Sequence, residues 1–164
     1  MNTTIEKIKE VNVPDTVMMK SIPTDYIEDV ELALFTTPDS IKEVNNELPI
    51  VETLKDGVYT RTLLMPKGYL IIGMKHRDAS FNHMHTGRLY LIEEDKEDKE
   101  LIAPYAYVSP AGLRKVLYIL EDTIWTNIMF TDLKTIEEAR DYNYIKSPIQ
   151  IEAEEIIKQG GLPI

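Results

Sequence analysis

The three histidines of the chain, His76, His83 and His85, fall within ten residues of one another. An imidazole is the commonest nitrogen ligand for transition metals and carries protons near neutral pH. On a strand, residues two apart share a face, so His83 and His85 across Met84 can offer two ring nitrogens to one divalent cation. His76, on the preceding strand, is the candidate third ligand. The plainer reading is that all three are amphipathic sheet residues, hydrogen-bonded or exposed. A metal centre wants a carboxylate or further ligand and an oriented outer shell, so the expectation is no cofactor, with a divalent transition metal on His76, His83 and His85 as the alternative.

A second constellation uses no metal. His76, His83 and His85 with Arg88, Tyr90, Arg114, Lys115 and Tyr118 could line the mouth of a barrel and hold a sugar or a small anion, with Arg61 adding charge. Against this, tyrosines in a barrel are commonly core residues with a hydrogen-bonded tip, and arginines pair with carboxylates. The chain has no glycine-rich phosphate loop, no nucleophile elbow and no paired carboxylates at meaningful spacing. Zero cysteines exclude disulfides, thiol catalysis and thiolate metal sites. A formal charge of −10, from 28 acidic and 18 basic residues, argues against binding a phosphate backbone, so no nucleic-acid partner is expected.

The elements that must position these side chains are strands. Residues 57–131 read as a run of short, apolar, β-branched segments with regular turns: Val58 to Met65, Tyr69 to His76, Phe81 to His85, Arg88 to Glu93, Leu101 to Ser109, Arg114 to Leu120 and Thr123 to Phe130. Pro66-Lys67-Gly68, Thr86-Gly87, Pro110-Ala111-Gly112 and Glu121-Asp122 supply the turns, and Glu94 to Lys99 reads as a solvated charged tip. In the second segment Leu70, Ile72, Met74 and His76 share one face, and Tyr69, Ile71, Gly73 and Lys75 the other. Seven or eight such strands predict a mainly β fold, a small antiparallel barrel or jelly roll, with Trp125 as a core residue.

Helices flank this block. Residues 1–56 read as an arm (1–22), a helix capped by Thr24 with Tyr26, Ile27, Val30 and Leu34 on its buried face, a shorter helix from Pro38 to Leu48, and a linker from Pro49 to Asp56. In residues 132–164, Thr135-x-x-Glu138 and Ser147-Pro148-Ile149-Gln150 fit capping boxes. Gly160-Gly161 stops the last helix, whose stripe of Ile149, Ala153, Ile156 and Ile157 is expected to pack on the barrel. At 164 residues this makes one structural domain. No apolar run is long enough to span a bilayer and no secretory signal is found, so a cytoplasmic protein with no membrane partner is expected. The apolar flanks also predict a homo-oligomer, a symmetric dimer first.

The order Gly68, Gly73, His76, His83-x-His85, Gly87, Pro110-x-Gly112 and Glu121-Asp122-Thr123-Ile124-Trp125-Thr126 resembles the cupin superfamily, and within it small cupin-like proteins of bacteriophages. The resemblance spans about residues 55–131 and implies a small antiparallel β-barrel. It departs from the metal-holding pattern: Leu89 and Tyr90 stand where a glutamate is expected, and Lys115 stands where the last histidine belongs. In the phage-type pattern His76 is retained, and the later histidines fall near Leu120 and Met129. A lysine ammonium is not a ligand at neutral pH. The resemblance therefore implies a non-enzymatic, phage-encoded protein, a virion component or accessory binding protein with a protein partner, found in the host cytoplasm or virion. The alternative is a cupin enzyme or small-molecule binding protein using the histidine cluster.

Overall fold

The computed structural model describes Ile27, residues 48–94 and residues 96–160. The expected arm and N-terminal helices, apart from Ile27, lie outside the described residues, as do the side chains of Ala153 and Ile157. In chain order the elements are β1 (Ile50–Lys55), β2 (Val58–Met65), β3 (Leu70–Gly73), β4 (Lys75–His76), β5 (Ser80–Glu93), β6 (Lys99–Ile102), β7 (Tyr105–Ser109), β8 (Lys115–Phe130), α1 (Ile136–Asn143), β9 (Tyr144–Ile145) and α2 (Pro148–Lys158). Seven strands form one antiparallel sheet in the order β1-β2-β8-β5-β6, with β3 also on β8 and β7 also on β5, while β4 and β9 pair by themselves. The mainly β class and the antiparallel pairing agree with the expectation.

Several boundaries differ from it. The linker expected at Pro49 to Asp56 is instead β1, which pairs with β2 from Ile50↔Leu63 to Lys55↔Val58 around the Asp56-Gly57 turn. Phe81 to His85 and Arg88 to Glu93 are one continuous strand, as are Arg114 to Leu120 and Thr123 to Phe130, because β5 and β8 pair along almost their whole length. Conversely, Leu101 to Ser109 divides at Ala103-Pro104, since proline has no N–H for a ladder. Lys99 opens β6 rather than sitting in a solvated tip, and burial pushes the Asp98 carboxyl up.

The turn expected at Thr86-Gly87 is a bend within β5. The β5–β8 register shifts between Met84 and Leu89, and Gly87 sits at φ +94° where an added Cβ would stand 2.3 Å from Thr123 Oγ1 and 2.5 Å from the Asp122 carbonyl. Only glycine fits so close an approach. The bend folds the long strand pair back on itself. Lys115 and Asn127 lie toward opposite ends of β8, roughly 40 Å apart on a straight strand, yet both side chains reach Asn82.

The curl buries a core of Met65, Met84, Leu89, Leu91, Leu101, Leu117, Ile119 and Trp125, bordered by Tyr69 and Ile71. Trp125 is a core residue, as expected. On the other face of β3, Leu70 and Ile72 pack with Val116 and Ile92 against Ile27, which is helical and fully buried. The expected alternation along Tyr69 to Ile72 is therefore observed, and the expected cover by the Ile27 face is seen at that residue.

A third cluster joins Tyr59, Met129, Ala139 and Tyr144 and attaches the C-terminal segment. The capping box at Thr135 is formed, with Glu138 N–H donating to Thr135 Oγ1 at 3.1 Å and Thr135 N–H to Glu138 Oε2 at 3.2 Å. Arg140 on α1 then clamps Glu52 on β1, with Nε donating to both carboxylate oxygens and Tyr59 hydroxyl donating to one of them. α2 begins at Pro148 as expected, but Ile156 of its apolar stripe is exposed rather than packed on the sheet. No described helix is long and apolar enough to cross a membrane.

Candidate functional site

Along β5, Ser80, Asn82 and Met84 are buried while Phe81 and His85 are exposed and His83 half-exposed. Strand alternation thus sends the Asn82 side chain inward and both strand histidines outward. Asn82 and Asn127 are a registered cross-strand pair, as are Glu93 and Lys115. Inside the curl, Asn127 Nδ2 donates to Asn82 Oδ1 at 2.6 Å and Lys115 Nζ to the same oxygen at 3.3 Å. Asn82 Nδ2 donates to the Ser80 carbonyl at 3.0 Å, which fixes the amide with its oxygen toward the lysine.

Aromatic faces complete the surroundings of Lys115. Its Nζ lies 5.3 Å from the centre of the Tyr107 ring and 5.8 Å from that of Trp125, within range of cation–π attraction. The Tyr107 hydroxyl donates toward Glu93 Oε1 at 3.5 Å, and Lys96 Nζ donates to Glu93 Oε2 at 3.1 Å. Lys99 Nζ stands 5.0 Å from the same tyrosine ring. Burial pulls the Lys115 ammonium down to about 8; Glu93 opposes this, and Lys96 and Lys99 add to it. Burial also raises the Tyr107 hydroxyl, which stays a donor.

His76 is near this cluster and apart from the other two histidines. It lies buried on β4, its Nδ1 2.8 Å from Ser80 Oγ and its ring 4.9 Å edge-on to Tyr144, which β9 supplies opposite it. Burial, then the charges of Lys115 and Arg61, push its pKa down to about 4, so the ring is neutral at physiological pH. Arg61 lies over the Tyr144 ring at 4.8 Å, and its Nε has no hydrogen-bond partner among the described residues.

The other expected site residues lie elsewhere. His83 and His85 pack against each other on the outer face, ring centres 4.2 Å apart, with His85 Nε2 2.7 Å from Thr126 Oγ1, itself 2.9 Å from Thr62 Oγ1. Arg88 pairs with Glu100 at 3.0 Å and Glu121 at 3.2 Å, the carboxylate pairing anticipated as the plainer reading. Tyr90 and Tyr118 are cross-strand neighbours on the Leu70 side, opposite in parity to Lys115. Arg114 is buried immediately before β8. Of the eight expected residues, the fold brings only His76 and Lys115 toward one cluster.

Three histidines on two faces do not fit a resident metal, and among the described residues no group of three or more histidine, aspartate and glutamate side chains gathers. Sequence reading missed Asn82, Asn127, Glu93 and Tyr107. Their signal was polar residues at the same strand parity as the apolar Met84, Leu91 and Trp125.

No protein-family model matches the chain, and no curated protein does. Among solved structures, it is similar to an RmlC-like cupin family protein with a double-stranded β-helix fold from Methanocaldococcus jannaschii, at 9% identity over 57% of this chain and 86% of that one, with a TM-score of 0.46. It is likewise similar to a cupin superfamily protein from Desulfitobacterium hafniense, at 10% identity over 71% and 100% of the two chains and a TM-score of 0.45. A DMSP lyase from Ruegeria pomeroyi matches at 13% identity over 57% of this chain and 51% of that one, with a TM-score of 0.48.

Proposed function

We propose that this chain is a small-molecule binding protein that holds an anionic ligand against Lys115 inside the curled sheet, without a metal. The observation that carries the reading is the state of that lysine. It is only 8% exposed, its hydrogen bond goes to a neutral amide, and no carboxylate among the described residues lies within ion-pairing distance of it. A buried ammonium costs several kcal/mol; Glu93, which is ion-paired with Lys96, offsets only part of that for Lys115, and a bound anion would offset the rest. Lys115 feels the charges of Glu93, Lys96 and Lys99, and Lys96 is ion-paired with Glu93, in a protein whose formal charge is −10. The phage-type resemblance enters here as an accessory binding role.

Calorimetric titration and melting shifts with a panel of small carboxylates and phosphates test it. The expected result is that one class binds and raises the melting temperature of the wild type. Lys115→Met should retain the fold, because it replaces an ammonium by an apolar chain of similar length, and should lose that shift. Equal shifts in both proteins would overturn the reading.

A second reading, a building block of an assembly such as a virion component, is favoured by the outer face. The registers align Val51, Thr62, Thr126, His83 and Ala106 in one row and Thr53, Thr60, Ile128, Phe81 and Val108 in the next. Val51 and Val108 are each 64% exposed and Phe81 is 41% exposed. Neither row contains a carboxylate, lysine or arginine, so a second copy can lie on this face without bringing the acidic remainders of two chains into contact. Light scattering at micromolar concentration should then give a dimer mass; a mass of 18.9 kDa rejects this second reading.

A further inference from the structure

Resting on the anion-binding reading, we propose that Lys115 is also a reactive amine, which condenses with a small aldehyde or ketone bearing an anionic group to form an imine inside the sheet. The geometry sets this lysine apart from the others. Its nitrogen is enclosed by the Tyr107 and Trp125 rings and faces the amide oxygen of Asn82, an acceptor that orients the amine without neutralising it. Desolvation and neighbouring cations are the two means by which proteins make a lysine nucleophilic near neutral pH, and both act here, the second through Lys96 and Lys99. With its pKa at about 8 against 10.5, Lys115 holds roughly 300-fold more neutral amine at pH 7 than a solvated lysine.

The condensation balances in atoms and electrons. The neutral Nζ attacks the carbonyl carbon, a C–N bond forms as the carbonyl π pair moves to oxygen, and a proton passing from nitrogen to oxygen leaves a carbinolamine. The nitrogen lone pair then expels the hydroxyl group, which departs as water with a proton taken from solvent, and the iminium N–H returns a proton to solvent. Amine and carbonyl thus give imine and water with no change in oxidation state. Lys99, 5.0 Å from the centre of the Tyr107 ring, supplies the charge that receives the anionic group.

Glyoxylate with sodium cyanoborohydride, followed by intact-mass measurement and peptide mapping of the wild-type chain, tests this. The expected result is one early adduct, on Lys115, formed at least about tenfold faster than on an exposed lysine such as Lys67. Its rate should rise with pH to a midpoint near 8, and the early adduct should be lost in Lys115→Arg. Mapping needs no variant, so a misfolded Lys115→Arg leaves the test intact. Labelling of Lys115 no faster than Lys67 overturns the proposal. Glycolate, the non-carbonyl analogue, separates the two readings: if glycolate binds and no adduct forms, the imine falls and anion binding stands, whereas if neither glycolate nor glyoxylate binds, both fall.

Discussion

β5 and β8 carry two polar clusters, one on each face. Inside, Asn82 ties together Asn127, Lys115 and the Ser80 carbonyl, with His76 on Ser80 Oγ beside them. Outside, His83 and His85 stand against each other, with His85 on Thr126 and Thr126 on Thr62. The hydrogen-bond lengths are similar, but the energetics are not. An outer group that loses its partner turns to water at little cost, while an inner group that loses its partner keeps its full desolvation penalty. The inner cluster therefore has the large pKa shifts and the buried charge, while the outer one, where partial burial and His83 lower only the His85 ring, has exposure.

The sharpest way to break this comparison is Asn82→Ala. It strips the acceptor from Lys115 and Asn127 together and leaves a void, and should cost about 3 to 4 kcal/mol in a urea titration. A loss under about 1 kcal/mol would mean that water reaches the cluster and that the inner face is no drier than the outer.

Acid should find His76 next. Its folded pKa of about 4 lies below the unfolded value of 6.5, so between these limits the unfolded chain binds the additional proton. The contribution is fully present above pH 6.5 and is lost as pH falls toward 4, on the order of 3 kcal/mol in all. His76→Asn should flatten that part of the stability profile. An unchanged acid limb would place His76 in solvent.

The smallest effect belongs to the outer pair. His85→Ala should change stability by less than about 0.5 kcal/mol, since Thr126 keeps Thr62 as a partner. A loss above about 1 kcal/mol in dilute protein would show that something covers this face and would favour the assembly reading.

Much of the fold was legible in the sequence. Alternation is local, so Leu70 and Ile72 on one face, Tyr69 and Ile71 on the other, and His83 with His85 on a common face followed from spacing alone. The capping box at Thr135 and the burial of Trp125 were equally local inferences. Strand length was not, because whether Thr86-Gly87 ends a strand or bends it depends on whether β8 continues alongside.

Local chemistry, then, determined most of the strand residues between Val58 and Phe130, which side chains share a face and where α1 begins, while β1 was read as a linker. Only the tertiary structure decided which face is inside. Parity tells that His83 and Asn82 point apart but not which of them meets the core, and a slip of one residue in register exchanges the two. The curl at Gly87 made that choice, and by folding the β5–β8 pair over itself it brought Lys115 to Asn82 from the far end of the ladder. Spacing along a chain carries no record of such a contact, because it arises from the path of the sheet in space.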